Sequence, residues 1–198
     1  MPDTESTPTT LSLDEKRHLL RIARESIFHT ISRSSPLKLD ESTLPETFLV
    51  KSGAFVSLHI DEDLRGCIGS IYDHDALYRT VLDMATQAAT GDPRFPALSL
   101  TELPHTEIEI SVLSPLAPIA PNDIELGRHG LLLAQGSRRG LLLPQVPAQY
   151  GWSRKDFLEA LSRKAGLEAT GWKARETQLL AFTAEVFSDE SVDEYDED

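Results

Sequence analysis

The sequence has one cysteine, Cys67, among 198 residues, and that scarcity excludes an internal disulfide framework and any cysteine-rich zinc or iron-sulfur site. Bases are also few. Against 19 Lys and Arg stand 32 Asp and Glu, for a formal net charge of -13. The excess is concentrated at the ends, since residues 188–198 hold seven acids and no base and residues 1–10 add Asp3 and Glu5. Without those nine acids, 23 acids face 19 bases, or about -4. Charge therefore gives the body no pull toward nucleic acid or membrane, and only Arg138-Arg139 and scattered bases favour RNA binding. The first ten residues lack the basic and apolar regions of a signal peptide, and no apolar run approaches the length of a membrane-spanning helix. A cytoplasmic location is expected. Walker A, Rossmann, G-x-S-x-G and H-E-x-x-H elements are missing, as are the H-x-x-x-H and C-x-x-C pairs of a local metal site. A site assembled through the fold from Cys67, His59 and His129 is the remaining metal option.

What is present is a soluble-type body with 40% hydrophobic and 26% charged residues. Ser12 and Glu15 have capping-box spacing, and Leu20, Ala23, Ile27 and Ile31 recur at helical intervals, predicting a helix over 13–31. Residues 32–47 read as a surface connection. Residues 54–60 and 64–71 alternate as two strands of a hairpin around Asp61-Glu62-Asp63. A second helix is expected from Asp73 or Asp75 to Gly91, followed by the proline-fixed loop Gly-Asp-Pro-Arg-Phe-Pro over 91–96. Further strands are expected over 107–113, around Leu131–Leu133 and Leu141–Leu143, and through Leu180, Phe182, Ala184 and Val186. A third helix is capped by Ser153. Mixed hairpins and helices without regular βαβ alternation give an α+β class, with a mixed, largely antiparallel sheet and flanking helices. Residues 1–10 and 188–198 are assigned to disordered tails; the acidic end serves solubility or binds a partner.

The most informative segment is Leu-Arg-Gly-Cys-Ile-Gly, residues 64–69. Two residues apart on a strand, Arg65 and Cys67 share a face, and a guanidinium beside a thiol favours the thiolate a nucleophile needs. Gly66 and Gly69 leave room for a ligand. Against this stands the ordinary reading of an isolated cysteine as a small buried hydrophobe. His129, between Gly127-Arg128 and Gly130, is the candidate base or else a hydrogen-bonded turn residue. Asp92 and Arg94 are either an ion pair that pins their loop or an anion-binding pair at a pocket rim. Glu109 lies opposite the isoleucines of its strand, at a solvated position or facing a cleft.

In this order and at fitting intervals, Leu-Arg-Gly-Cys-Ile-Gly, Asp-Pro-Arg-Phe-Pro, Ile-Ser-Val-Leu-Ser-Pro, Gly-Arg-His-Gly-Leu, Gly-Leu-Leu-Leu-Pro-Gln-Val, Lys-Ala-Gly-Leu and Trp172 closely resemble the AMMECR domain. Its prokaryotic branch is called AmmeMemoRadiSam system protein A. The resemblance covers residues 11–187. It implies a larger and a smaller lobe with the cysteine motif lining a cleft between them. Residue by residue it matches Arg65, Gly66, Cys67 and Gly69 to the signature, and Asp92, Arg94, Glu109 and His129 to further motifs. As partners it implies a Memo-like protein and a radical S-adenosylmethionine enzyme, both separate chains; no cofactor is specified. The resulting expectation is an enzyme or enzyme component with Cys67 as thiolate, Arg65 as its activator or an anion clamp, and His129 as acid or base. The alternative is a non-catalytic ligand- or protein-binding adaptor with a structural Cys67. The chain departs from the family in its turn, Asp61-Glu62-Asp63, where Gly is frequent. It also carries Ala97 where a second Pro is usual and Pro147 where Ala is common.

Overall fold

A computed structural model describes residues 10–193. The class is α+β, as expected, but the strands form two antiparallel four-stranded sheets rather than one. They belong to two compact units. One comprises the chain up to Leu113 together with the segment from Glu185, and the other spans Ser114–Ala184.

In the first unit, α1 (Leu13–Ile31) begins at the expected capping box, in which Ser12 and Glu15 satisfy each other's backbone N–H groups. Its buried stripe of Leu19, Leu20, Ile22, Ala23 and Ile27 packs against the later helix that starts at Leu77. The connection that follows carries a helical turn, α2 (Glu46–Leu49), whose Phe48 is fully buried. Strands β1 (Ala54–Ile60) and β2 (Asp63–Ser70) form the hairpin. Asp61 and Glu62 both take positive φ, at 51° and 68°. Helix α3 (Leu77–Thr90) starts later than the acids suggested, because Leu77 N–H is held by the Val50 carbonyl and Lys51 bridges Ala76, which keeps the approach extended. Strand β3 (Glu107–Leu113) pairs with β1. The pleat sends Ala54, Val56, Leu58, Ile108 and Ile110 into the helix-covered core. The other face carries Phe55, Ser57 and His59 from β1, Cys67 and Gly69 from β2, and Glu107, Glu109 and Ser111 from β3.

The second unit contains β4 (Ala117–Pro118), β5 (Gly130–Gln135) and β6 (Arg138–Leu142), then α4 (Val146–Tyr150) and α5 (Arg154–Lys164), and finally β7 (Gln178–Phe182), in the sheet order β4-β7-β5-β6. Leu131, Leu133 and Leu142 meet Phe157, Leu158 and Leu161 of α5 in its core. Ser153 caps α5 together with Asp156.

Two expectations are corrected near the end of the chain. The alternating run through Leu180 and Val186 is two strands: β7 ends at Phe182, and β8 (Ala184–Ser188) joins the first sheet beside β3. Residues 189–193, assigned to a disordered tail, form α6 (Asp189–Asp193). Val192 there is 4% exposed, and Asp189 bonds Arg24 at 2.5 Å and the Ile108 N–H at 2.9 Å. The expected tails at 1–9 and 194–198 lie outside the described residues. No described helix is long and apolar enough to cross a membrane.

Candidate functional site

Strand β2 is an edge of its sheet, so every second residue presents its backbone N–H and C=O outward with no strand to receive them. At Cys67 those groups are met by side chains. The Cys67 N–H donates to Asp92 Oδ2 at 2.9 Å, and the Cys67 carbonyl accepts from Arg94 Nη2 at 3.3 Å. The Asp92–Arg94 pair therefore stands in for a missing strand. The proline-fixed loop makes this possible by turning the chain back on itself just after α3. Asp92 accepts the Arg94 backbone N–H at 3.1 Å and its Nε at 2.9 Å, and its Oδ2 pairs with Nη2 at 2.6 Å. The Asp92 side chain is 2% exposed and that of Arg94 54%. Hydrogen bonds from Arg94, helped by the Cys67 N–H, outweigh burial and hold the Asp92 carboxyl well below the usual range.

Bonding outward, Cys67 is a non-hydrogen-bonded partner of Ser57 on β1, the arrangement that brings facing side chains closest. Ser57 Oγ–H donates to Cys67 Sγ at 3.3 Å. Glu109 faces Ser57 from the other side, so a thiol, a hydroxyl and a carboxyl form a row across three strands. Burial pushes the Glu109 carboxyl up, opposed by the charge of His59. The Arg94 guanidinium reaches this row at Cys67. Its own pKa is raised, chiefly by Asp92 and further by the Cys67 sulfur.

Arg65, expected beside the thiol, is elsewhere. Opposite it the ladder slips, with Leu58 facing Gly66 and His59 facing Leu64, so Arg65 is the extra residue of a bulge that breaks the two-residue alternation. Its Nε bonds Glu102 at 2.9 Å, its Nη1 the Pro96 carbonyl at 2.9 Å and its Nη2 the Ala97 carbonyl at 3.4 Å. Arg65 thus clamps the far end of the loop that Asp92 begins. Glu102, which the sequence reading missed, also accepts from the Ser99 N–H and hydroxyl, and Arg65 first and Ser99 next pull its carboxyl down to about 2. Its S-x-x-E spacing from Ser99 was the available signal.

The room expected beside the glycines is filled by protein. A Cβ at Gly66 would lie 2.2 Å from the Ala88 carbonyl oxygen of α3, and one at Gly69 would lie 2.1 Å from the Phe55 ring. Close packing explains both residues. His129 belongs to the other unit, in the turn before β5. Its Nδ1 accepts the Glu125 N–H at 3.0 Å, while its own N–H reaches the Glu125 carbonyl at 3.0 Å. With Nδ1 accepting, the ring can carry a proton on Nε2 and present a donor there, which fits the acid rather than the base of the two expected roles, and the bond to Glu125 fits the turn residue that was the alternative. Among the described residues no cluster of three His, Cys, Asp or Glu side chains is arranged to hold a metal ion.

Known proteins resemble the chain over nearly its whole length. A family model described as AMMECR1 matches residues 20–187. Protein MK0488 of Methanopyrus kandleri is 38% identical over 190 residues, 91% of each chain. Protein MJ0810 of Methanocaldococcus jannaschii is 37% identical over 188 residues, 90% of this chain and 92% of that one. The crystal structure of an uncharacterized protein, PH0010 from Pyrococcus horikoshii, has the same fold. It aligns with a TM-score of 0.82 at 34% identity, covering 91% of this chain and 94% of the other.

Proposed function

The chain belongs to the AMMECR1 family, and from that premise we propose that it is an enzyme or enzyme component whose reacting group is the Cys67 thiol. One observation carries the reading. Cys67 is fixed at its N–H, its carbonyl and its sulfur by Asp92, Arg94 and Ser57, which is more restraint than a packing cysteine requires. A thiolate formed there meets a hydroxyl donor and a cation, the surroundings that favour a sulfur nucleophile. Arg94 takes the activating role first expected of Arg65, and Arg65 with Glu102 positions the loop. Glu109, whose carboxyl burial pushes up, is suited to exchange a proton with a substrate bound over the row. In this reading the substrate is passed to or from a Memo-like protein and a radical S-adenosylmethionine enzyme.

Because Cys67 is the only cysteine, alkylation read by intact mass reports a single event. The folded protein is expected to react with iodoacetamide at pH 7.5 within about tenfold of the urea-unfolded chain. Cys67→Ser, folded but unable to complement loss of the gene, completes the expectation. A native thiol that reacts only as fast as the protein unfolds would return the chain to a non-catalytic binding adaptor.

A further inference from the structure

The Arg94 guanidinium has two hydrogen-bonding edges, and Asp92 occupies one of them. Nε and Nη2 meet the two carboxylate oxygens, and Nη2 also donates to the Cys67 carbonyl. None of the hydrogen bonds that fix the side chain uses Nη1, the Cys67 sulfur lies close enough to raise the pKa of the guanidinium, and the side chain is 54% exposed. The carboxylate that orients it is 2% exposed and is itself tied to the backbone of Cys67. The Phe95 ring lies 5.4 Å from the guanidinium carbon. Such an arginine is not a loose surface charge. It is held through Nε and both hydrogens of Nη2, and Nη1 keeps its two N–H donors beside Cys67 for an incoming group.

We propose that the Arg94 Nη1 is an oxyanion subsite, and that the molecule reacting at Cys67 carries a carboxylate or phosphate group close to its reacting carbon. The subsite deepens the thiol reading and rests on it. Charge-assisted N–H bonds to carboxylate and phosphate oxygens are short and strong, and a guanidinium already fixed in orientation by Asp92 loses little freedom on binding. Coulombic attraction by a distant charge would be screened at ordinary salt, so discrimination between charged and neutral reagents at 0.1 M ionic strength, where the screening length is about 10 Å, reports a local contact.

Iodoacetate and iodoacetamide provide the comparison. In both, the Cys67 sulfur attacks the methylene carbon, a C–S bond forms, the C–I bond breaks, and iodide leaves with the electron pair; the thiol proton goes to buffer. Only the acetate carries an anion next to the reacting carbon. The rate ratio of iodoacetate to iodoacetamide is measured for the native protein and for the same chain in urea, at constant ionic strength. The native ratio is expected to exceed the unfolded one by about tenfold, the scale of one charge-assisted hydrogen bond. Iodoacetate should also saturate, and inorganic phosphate or acetate should slow it toward the neutral reagent's rate, the more effective competitor distinguishing phosphate from carboxylate. Arg94→Lys should lose most of the preference while keeping the charge, which locates it in the Nη1 donors that Asp92 orients and not in charge alone. Equal ratios in the native and unfolded chains, or a preference untouched in Arg94→Lys, overturn the subsite and leave the thiol reading standing. A native Cys67 that reacts with neither reagent overturns both.

Discussion

The Asp92–Arg94 pair makes an asymmetric prediction, because its two members differ so much in exposure. Arg94→Gln strands a carboxylate that is 2% exposed, and an orphaned buried charge costs roughly 3 to 5 kcal/mol. Asp92→Asn instead strands a guanidinium that is 54% exposed and returns to water, while the new amide oxygen still accepts the Cys67 N–H; about 1 to 2 kcal/mol is lost with the remaining hydrogen bonds. The arginine variant should therefore be the less stable by about 2 kcal/mol, or roughly 4 to 8 °C in melting temperature for a chain of this size. Acid should shrink the penalty. In the parent the Asp92 carboxyl lies below its ordinary value, so its stabilisation is present at neutral pH and is lost as pH falls below about 4. In Arg94→Gln the main lowering cause is gone and burial raises the carboxyl, so protonation relieves that variant at a pH where the parent is being weakened. Urea unfolding at pH 7, 5 and 3.5 measures both effects. Equal losses for the two substitutions at pH 7, or a parent-to-variant gap that is unchanged at pH 3.5, would refute the reasoning.

Other perturbations separate packing from chemistry. Gly66→Ala drives a methyl group to 2.2 Å from the backbone oxygen of Ala88, which has nowhere to go; a loss of about 3 kcal/mol is expected in urea unfolding. At Gly69→Ala the nearest atoms met belong to the Phe55 ring, so adding Phe55→Ala should recover most of its loss, whereas side-chain deletion leaves the Ala88 carbonyl in the way of Gly66→Ala. Glu102→Gln weakens the Arg65 clamp; with the carboxylate 35% exposed, solvent screening limits the cost to about 1 kcal/mol. That cost is present above the ordinary value of 4.5 and disappears as pH falls from there through about 2, which paired titrations of parent and variant stability will show. Glu62→Gly relieves a positive φ of 68° in the hairpin turn and should raise stability by up to about 1 kcal/mol; a loss would mean that the Glu62 side chain has a role of its own.

The elements whose evidence is local were legible in the sequence. The Ser12–Glu15 box, the alternation of Ala54–Ile60 and Glu107–Leu113, and the Ser153 cap each announce themselves within a few residues. The split between β7 and β8 was not legible, since alternation continues across Thr183 and only pairing with different sheets reveals two strands. At α6 the acids hid the one apolar residue that matters, Val192, and Asp189 reads as tail charge until Arg24 is placed beside it. In the site, Cys67, Asp92, Arg94 and Glu109 were singled out and lie on or beside the same sheet. Arg65 was assigned the wrong neighbour because a bulge is invisible to a count of two. Ser57 carried no signal at all, as its part depends entirely on the register of β1 against β2.

The substitution of side chains for a neighbouring strand has a consequence for the protein's behaviour at high concentration. A bare edge at β2 would offer matched donors and acceptors to any extended segment of another molecule, and strand addition there would bury the thiol in an aggregate. Asp92 and Arg94 have already claimed the docking register at Cys67, and a charged pair cannot be displaced by a peptide without stranding a buried carboxylate. The same two residues that orient the sulfur thus act as gatekeepers, keeping an unpaired strand open to small molecules and closed to other chains.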